Sequence, residues 1–99
     1  MRLTPEQISS IITTLLEFSP TGSIYLHGSR LDENKKGGDI DLFFVVNDSK
    51  LKNLAKQKHI MIANLSLRLN EQKVDLILLS ESKASSDEFF KNSLKQKIN

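Results

Sequence analysis

The chain is 99 residues long, with 14 basic and 12 acidic residues, a net charge of +2 and no cysteine. That length allows one domain at most, and the lack of cysteine excludes disulfides and thiolate metal sites. No apolar run approaches the roughly 18 residues that a membrane span needs, and the charge excess is small and forms no dense basic block that would mark an obligate nucleic-acid binder. The opening Met1-Arg2-Leu3-Thr4-Pro5 lacks the basic-then-apolar order of a signal peptide. The expectation is a single domain over residues 1–99 that works in the cytoplasm, with no membrane contact.

A helix opens at Thr4-Pro5-Glu6-Gln7. Thr4 suits the N-cap and Pro5 the first helical position, and Gln7 can close a capping box. Ile8, Ile11, Ile12, Leu15 and Leu16 then recur at helical spacing, until Ser19-Pro20-Thr21-Gly22 breaks the pattern. A short strand over 23–27 ends at Gly28-Ser29, and the polar stretch 30–38 reads as a loop. The next strand, 39–46, is apolar on both faces beyond its first residues, which suits a central, covered position. Asn47-Asp48-Ser49 supplies a turn and an N-cap, and the spacing predicts one long helix over residues 50–69. Asn70-Glu71-Gln72 separates that helix from a third strand over 73–79. Ser85 and Glu88 fit a second capping box, before a last helix carrying Phe89, Phe90, Leu94 and Ile98. The two aromatic residues and Leu94 read most simply as core.

The element order is α-β-β-α-β-α. The helical crossover makes the second and third strands parallel. The fold class is α/β or α+β, a small mixed sheet flanked by helices.

Three carboxylates fall where a sheet would be apolar. Asp39 and Asp41 sit two apart on a strand, so both side chains leave the same face. Two such charges repel, and a bound cation reverses that cost. An Asp after Gly37-Gly38 can also serve a turn alone. Asp75 weighs against that simpler account. It interrupts the apolar run Val74-Leu76-Ile77-Leu78-Leu79 near the start of the third strand, as the Asp pair does in the second. If those strands are parallel neighbours, the carboxylates converge, and oxygen-only ligands favour hard cations such as Mg2+ or Mn2+. Gly28 and Ser29 end the first strand with phosphate-binding tools, a close backbone approach and a hydroxyl. They can reach the carboxylates only if the first two strands are antiparallel. His27 and His59 have no second histidine at ligand spacing. The lysines of the long helix read as its solvated face.

Gly28-Ser29, a nine-residue spacer and Asp39-Ile40-Asp41 closely resemble the Gly-Ser-(spacer)-Asp-x-Asp signature of the minimal nucleotidyltransferases in the DNA polymerase beta superfamily. Leu26-His27-Gly28-Ser29-Arg30, Gly38-Asp39-Ile40-Asp41-Leu42 and Lys73-Val74-Asp75-Leu76-Ile77 carry the likeness across most of the chain. The spacer is one residue shorter than the family's commonest form, and Leu31-Asp32-Glu33-Asn34 stands where a small residue or glycine is frequent. Neither departure removes a ligand.

The resemblance implies a nucleotidyltransferase fold in which Asp39 and Asp41 hold two Mg2+ or Mn2+ ions and Asp75 completes the catalytic site. Gly28, Ser29 and Arg30 would bind the nucleotide, a nucleoside triphosphate with ATP favoured. About twenty residues follow the third strand, too few to build an extensive acceptor site. In that family the partner is often a separate helical HEPN-type protein, and the pair can act as toxin and antitoxin. The implied reaction is transfer of AMP to a hydroxyl of that partner. The alternative is a non-catalytic antitoxin or nucleotide-binding module that neutralises its partner by occlusion.

Overall fold

The capping residues start the first helix where their chemistry requires. Thr4 Oγ1 accepts from Gln7 N–H at 3.1 Å, and Gln7 Oε1 accepts from Thr4 N–H at 2.8 Å, so the capping box satisfies two otherwise unpaired donors. The computed structural model describes residues 3–26, 40–94 and 96–99. In chain order these form α1 (Pro5–Phe18), β1 (Ser23–Leu26), β2 (Ile40–Val46), α2 (Asp48–Lys56), α3 (Lys58–Arg68), β3 (Val74–Ser80), α4 (Glu81–Ser86), α5 (Glu88–Ser93) and β4 (Gln96–Lys97).

The sheet order is β3-β2-β1-β4. β2 and β3 run parallel, while β1 is antiparallel to both of its neighbours, β2 and β4. The mixed sheet and the central place of β2 are as expected from sequence. Period-two alternation divides β2 between two layers. Ile40, Leu42, Phe44 and Val46 join Ile11 and Leu15 of α1, Leu54 of α2 and Met61 and Leu65 of α3 in the main core. Phe43 and Val45 face the other way, under Ala84, Phe90 and Leu94. Phe43 and Phe44 are both fully buried, and each stabilises the fold by about 1.5–3 kcal/mol through area removed from water. Between the helices, Thr14 donates to Ser10 O and accepts from Arg68 Nη1 at 2.8 Å, which ties α1 to the end of α3.

Four expectations need correction. The single helix over 50–69 is two helices, broken at Gln57, which has φ −105° and ψ 8°. After Leu54 the positions three and four residues on are Gln57 and Lys58, so no apolar side chain carries the helix onward across the core. The apolar stripe resumes only at Met61. The second capping box is absent. Ser80 caps α4 and Asp87 caps α5, while Ser85 lies inside α4 and donates to Ser82 O. Finally, the last helix stops at Ser93. Ile98 follows β4 and donates its N–H to Ile24 O at 2.9 Å. Asn99 holds the same edge, accepting from Ile24 N–H at 2.8 Å and donating to Gly22 O at 2.9 Å. Phe90 meets Phe43 edge-on at 5.9 Å, but Phe89, expected in the core, is 63% exposed.

The turn from α3 into β3 is built by Asn70 and Glu71, at φ 59° and 62°. Glu71 N–H donates to Ser66 O at 2.7 Å, a Schellman closure in which Asn tolerates the left-handed conformation better than most side chains.

At the far ends of the parallel pair, Asp48 of α2 accepts from the backbone N–H of Ser82 at 3.1 Å and from its hydroxyl. These bonds, led by the hydroxyl, hold the Asp48 carboxyl below its ordinary value of 3.8. A depressed folded pKa adds stability that is fully present above the unfolded value and is lost as pH falls through the folded one. The melting-temperature gap between the parent and Asp48→Asn is therefore expected to be constant above pH 3.8 and to close below it. A gap that stays constant into stronger acid would rule out this linkage.

Candidate active site

The register of β2 and β3 decides the site. Asp41 pairs with Asp75, Leu42 with Leu76 and Phe43 with Ile77. Cross-strand partners share a face, and adjacent strands lie about 4.8 Å apart. The two carboxylates therefore sit side by side at the N-terminal ends of two parallel strands. Both lie on the face that α4 and α5 cover only farther along, over Phe43, Val45 and Leu79. Asp41 is half-buried and Asp75 is exposed. They line a cleft of about 240 Å3 together with Leu42 and Ile77.

Like charges in directly opposed positions destabilise a sheet. A cation between them changes the sign of that interaction. The donors here are carboxylate oxygens alone, which fits Mg2+ or Mn2+ and does not fit a soft metal. Among the described residues no group of three or more Asp, Glu, His or Cys converges, so Asp41 and Asp75 are a pair. Asp39, the remaining expected carboxylate, lies outside the described residues, as do Gly28, Ser29 and Arg30. The described residues that flank this segment are at the carboxylate end of the sheet. Leu26 pairs with Leu42, one position from Asp41, and Ile40 starts β2 opposite Val74.

Ile77 is the residue that sequence reasoning passed over. It is 41% exposed, beside Asp75 on the same face. Its signal was available: two positions beyond Asp75 in a strand is the same face. The cleft thus joins two carboxylates to an apolar wall, a combination suited to orienting a substrate around a charged reaction centre.

The family model described as nucleotidyltransferase domain matches residues 8–98. No curated protein matches the chain.

Proposed function

The chain belongs to the nucleotidyltransferase domain family, and on that premise we propose that it transfers a nucleoside monophosphate, AMP in the favoured case, from a nucleoside triphosphate to a hydroxyl acceptor. The observation that carries this reading is the register pairing of Asp41 with Asp75 at the mouth of the cleft. Asp39 and Asp41 would hold the divalent cations, with Asp75 completing the set. Bound there, the cations supply charge neutralisation for the triphosphate and acidity to the attacking hydroxyl. Gly28, Ser29 and Arg30 would grip the phosphates through backbone N–H groups, a hydroxyl and a guanidinium.

The reaction forms one bond between the acceptor oxygen and the α-phosphorus and breaks the bond from that phosphorus to the pyrophosphate oxygen. The acceptor proton passes to a carboxylate oxygen of Asp75, whose exposure lets it meet an incoming hydroxyl. Ile77 gives one side of the cleft an apolar wall against which a substrate can be oriented.

A HEPN-type helical protein is the proposed acceptor, the two forming a toxin–antitoxin pair in the cytoplasm. The test uses α-phosphate-labelled ATP, Mg2+ and that partner. Label on the partner supports the reading. A partner silenced without label points to occlusion. Nucleotide binding has its own readout. At a hundredfold excess over Kd a ligand adds about 2.7 kcal/mol of stability, so Mg2+ with ATP is expected to raise the melting temperature of a domain this size by roughly 10–20 °C. No shift with any of the ribonucleoside triphosphates would count against a nucleotide site.

A further inference from the structure

Charge is segregated in this chain. Residues 49–70, which include nearly all of α2 and all of α3, hold five of the 14 basic residues and none of the 12 acidic ones. The rest of the chain, with nine basic against twelve acidic residues, is net negative. Arg68 is turned to α1, where it meets Thr14 and Glu17. Of the four lysines, Lys50, Lys52 and Lys56 are exposed and Lys58 is half-buried.

The outer side of α3 is unlike that of α2. Residues 59–67 contain no Asp, Glu, Lys or Arg. Ile60, Ala63 and Leu67 stand at i, i+3 and i+7, one side of the helix, turned away from the fully buried Met61 and Leu65. Ile60 is 45% and Leu67 70% exposed. An uncharged aliphatic stripe next to a helix studded with lysine is poor surface design for water alone, and its spacing is that of a helix–helix seam.

We propose that the outer face of α2 and α3 docks an acidic, amphipathic helix of a partner protein, whose apolar stripe covers Ile60 and Leu67 while its carboxylates meet the lysines. Charge decides the occupant. A second copy placed symmetrically would set these lysines against their own like and is disfavoured. A nucleic acid would satisfy the lysines but leave the aliphatic stripe in water. This docking is independent of the cleft, which opens on the other face of the sheet.

The probes are two fluorescein-labelled helical peptides of about three heptads with leucine at the seam positions. One is flanked by glutamate and the other by lysine. Single-stranded oligothymidylate is the third probe, and anisotropy is read with each. The glutamate peptide is expected to bind and the lysine peptide not. The affinity should fall as the Debye length shrinks from about 10 Å at 0.1 M salt to about 3 Å at 1 M. Ile60→Ser with Leu67→Ser is expected to weaken it on the order of tenfold or more, and Lys52→Glu with Lys56→Glu to abolish it at low salt. All four positions are exposed, and circular dichroism checks that each variant folds. The proposal is overturned if the glutamate peptide fails to bind, if both peptides bind alike, or if the serine variant binds as the parent does. Oligothymidylate binding that depends on the lysines but not on Leu67 would also overturn it, in favour of a nucleic-acid surface.

Discussion

Asp41→Asn is expected to abolish measurable nucleotidyl transfer, a loss on the order of a hundredfold or more, without unfolding the protein. The change keeps the shape of the side chain and removes one charge from the pair with Asp75. Asp75→Asn should behave similarly. A second readout separates the site from the assay. Mn2+ binding, followed by the electron paramagnetic resonance signal of the free ion, is expected to weaken in both variants. Without divalent cation, the melting temperature of Asp75→Asn should equal or exceed that of the parent, because like charge opposite Asp41 is removed from an exposed position. A variant that folds, loses charge and still binds Mn2+ as the parent does would remove Asp41 from the proposed metal ligands. Retained transfer in that variant would remove it from catalysis.

The largest effect on stability is expected at Phe44. Its ring is fully buried in the centre of the main core. Phe44→Ala should cost about 3–5 kcal/mol from lost transfer and a residual cavity. That is a large part of the roughly 5–15 kcal/mol that holds a typical domain together. Gly22 shares the site. A methyl group added there would lie 2.8 Å from Phe44 Cζ and closer still to Cε1, and a ring enclosed on every side has nowhere to move. Gly22→Ala should therefore cost about 1–3 kcal/mol by overpacking. In the double variant the ring is gone, so the two costs should fall short of additivity by about 0.5–3 kcal/mol. Urea midpoints of the four proteins measure this. Strict additivity would mean that the glycine is required for some reason other than the Phe44 ring.

The two predictions concern opposite faces of one strand. β2 gives its even-numbered residues to the deep core and its odd-numbered ones to the thinly covered side. Asp41 can be half-buried yet reach a cleft because α4 and α5, only six residues each, protect the strand farther along and leave its N-terminal end open. The main core on one face thus supports a strand end that presents a carboxylate on the other.

Local chemistry was legible in the residues themselves. Thr4, Pro5 and Gln7 specify the start of α1, because caps depend on neighbours three positions away. The apolar run after Asp41 marks a covered central strand, and the interruption at Asp75 marks a residue whose place in the strand is not explained by packing. The Asn47 cap and the Asn70-Glu71 turn could be located for the same reason. What eluded sequence reading depends on contacts between distant parts of the chain. β4 is two residues long and has no pattern of its own; it exists because β1 has an open edge that Ile98 and Asn99 can satisfy. The break at Gln57 follows from where the core stops supplying a surface for α2, and α4 and α5 divide where Asp87 caps a new turn. The convergence of Asp41 and Asp75 was expected on the condition that their strands are parallel neighbours, but the direct pairing of the two is a matter of register. A slip of one residue would send Asp75 to the opposite face of the sheet, and no local signal forbids it. The alignment is held by the packing of Val74, Leu76 and Leu79 with β2 and by the helices that cover them, so the residue types were readable from the chain, while their meeting in one cleft required the folded sheet.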